Sequence, residues 1–378
     1  MVRNKYYSRM IPNRRNAETL VANGYEVDII CLKKKGEKSQ EIINGVKVFK
    51  LPLMHRHGGI LRYIFEYCVF FTLASWKLTF QYFRRRYQVI EVSGIPDFMV
   101  FTTIFSKLLG AKVVFYLLDH TPESFVDNFN VNPENIMIKL LHKVEKASAH
   151  WADQIITTQS TSKEIILNEG VPGSKITVVL NTPDEEFFKV LPSNDGKGRF
   201  SLITHGSLLK RYNVQSLIKA VPLLTQEIPE LELKIVGDGV YKHQLEQLAQ
   251  SLGVNKYITF TGWMPQNEVP AYIAQVDIGI VVIPAGVNPA MPNKLLEYMA
   301  MGKPAIVTTI PTIKAYFDDH SVMYYEPDNE RDLARCILEL YRDPQKRLAL
   351  AATGLASYQK YQWKTIKHEY LNVYTKLT

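Results

Sequence analysis

Apolar and polar positions along this chain follow two spacings, which divide it into short strand-like runs and longer helix-like stretches. The short runs are rich in β-branched residues and have the length of buried strands. In the first half they are Glu26–Leu32, Val46–Leu51, Gln88–Val92, Lys112–Leu117, Gln154–Thr158 and Ile176–Val179. In the second half they are Phe200–Thr204, Leu231–Val236, Tyr257–Phe260, Ile278–Ile283 and Ala305–Thr308. Because amphipathic stretches separate the runs throughout, the pattern predicts an α/β fold with two Rossmann-like domains and parallel sheets.

A polar stretch near the middle of the chain separates the two series. Residues 181–198 contain two prolines and two glycines, which is typical of a linker. We therefore expect an N-terminal domain over residues 1–183 and a second domain over residues 199–355. Residues 356–378 are predicted to form a terminal helix.

The start of the chain predicts a defect in the first sheet. Residues 1–3 are too few for a strand, and residues 16–23 already have a helical pattern. We expect the opening strand to be shortened to a remnant at Val2 and Arg3, or to be missing.

Charge is unevenly distributed between the two halves. Residues 1–180 carry 24 Lys and Arg against 16 Asp and Glu, whereas residues 181–378 carry 21 of each. A basic half suggests nucleic acid or an anionic membrane surface as a partner, and a solvated surface without a partner is the alternative. The three cysteines lie far apart and include no Cys-x-x-Cys pair, which favours a reducing cytoplasm over a disulfide framework or a zinc site.

An aromatic segment lies within the basic half. Residues 60–83 are mostly apolar, but Arg62, Glu66 and Lys77 interrupt them, so the segment is not expected to span a bilayer. Its aromatic residues are Tyr63, Phe65, Tyr67, Phe70, Phe71 and Trp76. They favour either a surface helix at a lipid interface or an ordinary core helix, and the sequence leaves both open.

Two turns at the predicted carboxyl ends of strands have groups suited to phosphate. Gly237, Asp238 and Gly239 follow one strand, and glycines there allow close approach of the backbone. Residues 205–213 follow another strand and open a helix. They contain a glycine and a serine, Gly206 and Ser207, and two adjacent cations, Lys210 and Arg211. Such a loop can bind a pyrophosphate. A tight structural turn and a solvated basic loop are the respective alternatives.

A third turn, within residues 288–304, adds a carboxylate. Glu297 lies in the first turns of a predicted helix, where it can accept hydrogen bonds from both hydroxyls of a ribose. Asn293 and Lys294 lie near the helix start, where they can meet phosphates, and Met291 precedes them. A glutamate placed for the helix dipole alone is the alternative. The three turns together favour a nucleotide-diphosphate pocket.

These residues resemble a known family. The segment Pro292–Pro304 is similar to the signature of the family 4 retaining glycosyltransferases of the bacterial cell-surface polysaccharide type, which have the GT-B fold. Other similar segments are Arg3–Tyr7, Pro96–Phe98, Val178–Asn181, Ile235–Gly239 and Phe260–Trp263. The resemblance implies two domains facing across a cleft, with the terminal helix crossing back to the first domain. It also implies a hexosyltransferase of the EC 2.4 class.

The resemblance also implies roles for individual residues. Glu297 would hold the donor ribose, the 205–213 loop would bind the diphosphate, and Trp263 and Met264 would flank the base. Lys210 and Arg211 would stabilise the departing diphosphate without a metal or other cofactor, since no Asp-x-Asp or His-rich ligand cluster occurs. In the first domain Asp119, His120 or Glu123 would line the cleft near the acceptor, and His120 is as well suited to a structural hydrogen bond.

The chain departs from the family pattern at three places. The first glutamate of the usual pair is replaced by Pro289. The usual arginine and lysine of the diphosphate loop fall at Ser207 and Tyr212. In the first domain, Leu118 stands where a histidine often precedes the aspartate.

The resulting function hypothesis is a cytoplasmic transferase, at the inner face of the plasma membrane if the basic half binds lipid. It would move a sugar from a nucleotide-diphosphate sugar, with UDP favoured over GDP, to a saccharide or lipid-linked acceptor in polysaccharide biosynthesis. A sugar-nucleotide epimerase of the same fold and a non-catalytic nucleotide-binding scaffold remain as alternatives. A nucleic-acid partner is not expected, because the strongest motifs lie in the neutral half.

Overall fold

A computed structural model gives the fold and describes residues 1–54, 59–129, 131, 132, 134–192, 198–287 and 291–378. The chain forms two compact units. Unit 1 contains Met1–Leu180 and Ile366–Thr378, and unit 2 contains Asn181–Thr365. The division lies within a few residues of the domain boundary expected at residue 183, and the last thirteen residues belong to unit 1.

Unit 1 is built on an eight-stranded sheet. Its elements in chain order are β1 Val2–Tyr6, α1 Ile11–Ala22, β2 Asp28–Leu32, β3 Gln40–Ile43, β4 Val46–Leu51, α2 Ile60–Arg85, β5 Val89–Ser93, α3 Ile104–Leu108, β6 Lys112–Leu117, α4 Thr121–Phe129, α5 Ile136–Trp151, β7 Gln154–Thr157, α6 Ser160–Asn168 and β8 Ile176–Val178. The strand order is β3-β4-β2-β1-β5-β6-β7-β8, and only the β3–β4 pair is antiparallel among the described strands.

Unit 2 is built on a six-stranded parallel sheet. Its elements are β9 Phe200–His205, α7 Val214–Leu224, β10 Leu231–Val236, α8 Lys242–Ser251, β11 Ile258–Gly262, α9 Val269–Ala274, β12 Ile278–Val281, α10 Asn293–Ala300, β13 Ala305–Thr308, α11 Pro311–Lys314, β14 Met323–Tyr325, α12 Glu330–Arg342 and α13 Pro344–Gln359. The last helix of the chain, α14 Trp363–Thr375, runs from this unit into unit 1. The strand order β11-β10-β9-β12-β13-β14 is the doubly wound order 3-2-1-4-5-6, which confirms the Rossmann-like prediction.

The opening strand corrects the sequence expectation. β1 is neither missing nor shortened, because it has five residues, as do β2 and β5 on either side of it. The strand was not predicted because its sequence, Val-Arg-Asn-Lys-Tyr, is mostly polar. Arg3 is 6% exposed and directs its guanidinium towards the Ser93 hydroxyl at 3.5 Å. Burial lowers the pKa of Arg3 to about 10.

A hairpin at the sheet edge was not predicted. β3 and β4 are joined by Asn44 and Gly45, which both have positive φ angles, 49° and 80°. Asn-Gly is the preferred pair for a two-residue turn of this hand. The dipeptide was therefore a usable signal, whereas the polar strand before it gave none.

The terminal helix α14 is anchored to unit 1 through a buried carboxylate. The hydroxyls of Tyr370 and Tyr374 donate to Glu91 Oε2 at 2.8 and 2.6 Å. Asn13 donates to the other oxygen of Glu91 at 3.4 Å. Burial and the charge of Glu91 raise the pKa of both tyrosines, which therefore remain donors.

Helix α2 contains both buried and exposed aromatic residues, so each of the two alternatives left open by the sequence applies to part of it. Phe70 is fully buried against the sheet, whereas Phe65 and Trp76 are 65% and 77% exposed. The helix therefore packs one side into the core and presents the other to solvent. Among the helices described, α2 included, none has the length and hydropathy needed to cross a bilayer.

Candidate nucleotide-sugar site

The strand order of unit 2 places the three predicted turns at neighbouring strands. β10 and β12 flank β9 in the sheet, so the turns that follow these three strands meet at one edge. The turn after β12 leads into α10 through residues 288–290, which include Pro289 and lie outside the described residues. The departure from the paired-glutamate pattern is therefore not located by the structure.

Gly206 and Gly237 pack against each other where β9 and β10 end. The Gly206 amide donates to the Val236 carbonyl at 2.9 Å, and the Leu208 amide donates to the Asp238 carbonyl at 2.9 Å. Gly237 has a φ of +147°, and a β-carbon there would stand 1.9 Å from the Gly206 carbonyl oxygen. Close contact between the turns thus requires glycine at position 237. The Asp238 side chain is exposed and accepts a hydrogen bond from the Gly239 backbone amide at 2.8 Å.

Lys294 lies beside the same turn. Its Nζ is 3.8 Å from the point where a β-carbon on Gly206 would stand, so the ammonium lies directly beside this glycine. Burial of the ammonium lowers the pKa of Lys294 to about 8, although the charge of Glu297 acts in the opposite direction. Among the described residues no hydrogen bond or ion pair is recorded for Lys294. A desolvated cation of this kind is suited to an anionic ligand.

Glu297 lies one turn further along α10 and is 6% exposed. Its Oε2 accepts a hydrogen bond from Nε2 of His205, the last residue of β9. Nδ1 of His205 lies 2.9 Å from the Tyr298 hydroxyl, and the two rings meet edge to face. His205 was not among the predicted site residues. The only signal for it was its place immediately before Gly206.

The two cations predicted to bind the diphosphate lie on a short 3-10 turn, Lys210–Tyr212. Lys210 is exposed. Arg211 is half-buried, and its guanidinium lies 5.0 Å from the centre of the Tyr212 ring and donates to the Tyr212 hydroxyl at 3.2 Å. Ser207 is exposed beside Gly206. Lys294 is therefore the cation that the structure places against Gly206, and Arg211 is engaged with its neighbour.

Asp328 makes hydrogen bonds that join the turns after β9, β12 and β14. It follows β14, and its carboxylate accepts from the Asn213 side chain at 2.8 Å and from the Ala285 amide at 2.9 Å. Asn213 itself has a φ of 54°, a conformation that asparagine tolerates. These two hydrogen bonds link Asn213, after β9, and Ala285, after β12, to the turn that follows β14.

The other predicted donor residues are more dispersed. Met291 is buried, and Asn293 is exposed and accepts from the Asn181 amide at 3.3 Å. Trp263 is 69% exposed and Met264 is half-buried; they follow β11, two strands away from β9. The structure gives no contact that joins Trp263 to the α10 residues among those described.

The predicted acceptor residues lie in unit 1. Asp119 is exposed, whereas His120 is buried. The ring nitrogens of His120 lie 2.8 Å from Glu145 Oε1 and 2.9 Å from Ser162 Oγ, which favours the structural alternative for this histidine. Burial acts to lower its pKa, but the hydrogen bond and charge of Glu145 outweigh this and raise it. Glu123, which is exposed, has a carboxylate oxygen within 4.8 Å of the His120 and Glu145 ligand atoms.

Comparisons with known proteins agree with this architecture. The family model described as Glycosyltransferase Family 4 matches residues 14–187, and the model described as Glycosyl transferases group 1 matches residues 184–355. An uncharacterized glycosyltransferase of Methanocaldococcus jannaschii is 25% identical over 374 residues, which cover 95% of this chain and 91% of that protein. The lipopolysaccharide core biosynthesis glycosyltransferase LpsD of Rhizobium meliloti is 30% identical over 200 residues, 52% of each chain.

A solved structure shares the whole fold. Anabaena HepE, crystallised in complex with UDP and glucose, has a TM-score of 0.73 at 15% identity over 99% of this chain and 98% of that chain. The fold and the family matches define the class: the protein is a glycosyltransferase with the GT-B fold. More specifically, it is a hexosyltransferase whose two halves match the family 4 and group 1 domain families.

Proposed function

We propose that this enzyme transfers a sugar from a nucleotide-diphosphate sugar, with UDP as the favoured nucleotide, to a saccharide or lipid-linked acceptor in polysaccharide biosynthesis. Unit 2 binds the donor and unit 1 binds the acceptor. The observation that carries the proposal is the pair Lys294 and Glu297 on the first turns of α10, beside Gly206 at the end of β9. A half-buried cation and a buried carboxylate one turn apart suit a diphosphate followed by a ribose.

The choice of nucleotide and acceptor is supported by similarity. HepE binds UDP, and LpsD acts in lipopolysaccharide core biosynthesis. The three cysteines of this chain are free, and Cys68 is exposed, which supports a reducing compartment such as the cytoplasm.

The reaction we propose retains the anomeric configuration and uses no metal. Lys294 and the amides at the start of α10 offset the negative charge that develops on the departing diphosphate. Lys210, exposed on the neighbouring turn, adds a second cation. A chelator should therefore leave turnover unchanged.

Slow donor hydrolysis without acceptor tests this function. UDP-glucose, UDP-galactose, UDP-N-acetylglucosamine and GDP-mannose are compared with and without EDTA, and NMR identifies the first anomer released. We expect one donor to be cleaved with retention, and Glu297→Ala to lose at least 90% of the rate. Glu246→Ala is the matched control, because Glu246 is a half-buried glutamate of α8 whose carboxylate pairs with Lys242 at 3.6 Å. Release of the opposite anomer contradicts retention, and equal rates in wild type and Glu297→Ala contradict the site.

We further propose that unit 1 contacts an anionic membrane through helix α2. Phe65, Trp76, Phe80 and Phe83 are all exposed, and their spacing places them within about 60° of one another around the helix. The Arg84 guanidinium lies 4.2 Å from the centre of the Phe80 ring, and Arg62 is exposed near the other end. Aromatic rings flanked by arginines are typical of a helix that lies in the headgroup region.

Liposome flotation tests the membrane contact. The wild type should float with vesicles that contain phosphatidylglycerol and remain behind with phosphatidylcholine alone. The Trp76→Ser and Phe83→Ser double variant should lose flotation, whereas Leu348→Ser, an exposed leucine on α13, should retain it. If the wild type does not bind the phosphatidylglycerol vesicles at low salt, the membrane proposal is contradicted. The proposed donor site is not affected by that result.

A further inference from the structure

His205 connects two side chains that lie on a different element. It ends β9, whereas its partners Glu297 and Tyr298 lie on α10, more than 90 residues later in the sequence. The side chain of His205 is 10% exposed, and Tyr298 is fully buried. The three groups form a chain of hydrogen bonds from the Tyr298 hydroxyl through the imidazole to the Glu297 carboxylate.

The protons of this chain can be assigned from donor and acceptor capacity. An ionised carboxylate only accepts, so Nε2 of His205 must carry the proton that faces Glu297. In the neutral ring Nδ1 is then an acceptor, and it lies 2.9 Å from the Tyr298 hydroxyl, closer than the other acceptor of that hydroxyl, the Ile203 carbonyl at 3.4 Å. Tyr298 retains its proton, because burial and the nearby charge of Glu297 raise its pKa. Tyr298 thus selects the tautomer in which His205 donates to Glu297.

The hydrogen bond from His205 occupies one oxygen of Glu297. No described residue is recorded as donating to the other oxygen, Oε1. A carboxylate that is fixed through one oxygen presents the second in a single orientation, and this lowers the entropic cost of binding a hydroxyl group.

We propose that His205 is a positioning residue for nucleotide recognition: it orients Glu297 so that Oε1 accepts a ribose hydroxyl, and Tyr298 fixes its tautomer. The proposal rests on the proposed donor site and extends it. It makes His205 a determinant of the preference for ribonucleotides over deoxyribonucleotides, because the oriented carboxylate loses its partner when the hydroxyl is absent.

Calorimetric titration with UDP, GDP and their 2′-deoxy and 3′-deoxy forms tests this role. The wild type should prefer one ribonucleotide over a deoxy form by about tenfold or more, the effect of one hydrogen bond to a charged group. His205→Asn lacks a donor at the Nε2 position and should bind both forms with nearly equal affinity. His205→Gln places an amide donor near that position and should recover much of the preference.

A double-mutant cycle separates positioning from general damage. In the Glu297→Ala background, the additional change His205→Asn should leave the ratio of ribonucleotide to deoxyribonucleotide affinity unchanged. If His205 has a purely structural role, His205→Asn should weaken the binding of ribonucleotides and deoxyribonucleotides equally. An unchanged ratio of the two affinities would overturn the proposal. If the wild type binds none of these nucleotides, the proposed function fails instead, so the two failures are distinguishable.

A measurement on the wild type covers the case in which His205→Asn does not fold. Long-range proton–nitrogen correlation spectra report which nitrogen of a histidine carries the proton, and His205→Gln identifies the signal. The protonated Nε2 form supports the proposal. The form with its proton only on Nδ1 overturns it, because such a ring cannot donate to Glu297.

Discussion

The carbonyl oxygen of Gly206 lies 1.9 Å from the point where a β-carbon on Gly237 would stand. This contact explains why the turn after β10 requires glycine at position 237. Both glycines were predicted to be at the donor site, and in the structure they bring two loops together rather than carry a reactive group. The Lys294 ammonium lies beside Gly206, 3.8 Å from the point where a β-carbon on Gly206 would stand.

Gly237→Ala should destabilise unit 2. The added carbon would clash with backbone, and the φ of +147° is unfavourable for alanine, so we expect a loss of about 3 kcal/mol or more in the free energy of unfolding. Gly253→Ala is the control, because its φ is +68° and no atom lies within 4 Å of the added carbon. It should cost about 1 kcal/mol, from backbone strain alone. Urea unfolding followed by circular dichroism measures both, and equal losses would contradict the crowding argument.

Donor affinity should fall as pH rises through about 8. The pKa of Lys294 is lowered to about 8, so the free enzyme loses this positive charge above that pH, whereas a bound diphosphate favours the protonated form. We expect nucleotide affinity to fall about tenfold or more between roughly pH 7.5 and 9.5. Lys294→Met should bind weakly at both pH values and show little dependence in this range. A steep fall that persists in Lys294→Met would assign the titration to another group.

Tyr374→Phe should destabilise unit 1 by loosening α14. The change removes the 2.6 Å hydrogen bond to Glu91, a buried carboxylate that keeps Tyr370 and Asn13 as donors. Loss of one hydrogen bond to a charged group predicts a cost of about 1.5–3 kcal/mol. Tyr361→Phe, which loses a 3.4 Å bond to a backbone carbonyl, should cost less than about 1 kcal/mol. Thermal unfolding compares them, and equal shifts would show that Glu91 does not anchor the helix.

His120→Gln tests whether this histidine is structural. Its folded-state pKa is raised above the usual 6.5, so its contribution to stability is complete below that value and is lost as pH rises through the folded-state pKa. The difference in unfolding free energy between wild type and variant should therefore be larger at pH 6 than at pH 9. Donor hydrolysis measured well below the unfolding temperature should remain close to that of the wild type. A large loss of turnover with unchanged stability would instead support His120 as a base.

The sequence predicted most of the parallel strands of both sheets well, because these strands are short runs rich in β-branched and other apolar residues. Val46–Leu51, Lys112–Leu117 and Leu231–Val236 match the observed strands at both ends. The strands that were missed or underestimated have a different composition. β3 is a polar edge strand, β1 carries a buried arginine, and β14, which was not predicted, has only three residues.

The candidate nucleotide-sugar site was harder to predict from the sequence. Lys294 and Glu297 share one helix turn, so their proximity followed from helical spacing. The contact between His205 and Glu297 joins positions 92 residues apart, and no local pattern encodes it. The position of Lys294 against Gly206 depends likewise on how α10 packs across the end of β9. The departures at Ser207 and Tyr212 pointed to Lys210 and Arg211 as substitutes, and only the fold placed Lys294 nearer to Gly206.

The most direct measurement of the central claim is calorimetric titration of the wild type, Glu297→Ala and Glu246→Ala with UDP, GDP and ADP. One nucleotide, with UDP favoured, should bind the wild type and the Glu246→Ala control equally well. Its affinity for Glu297→Ala should fall about tenfold or more, because a charged hydrogen bond to the ribose is lost. Absence of binding by all three nucleotides, or equal binding by Glu297→Ala, would contradict a nucleotide-sugar site on α10.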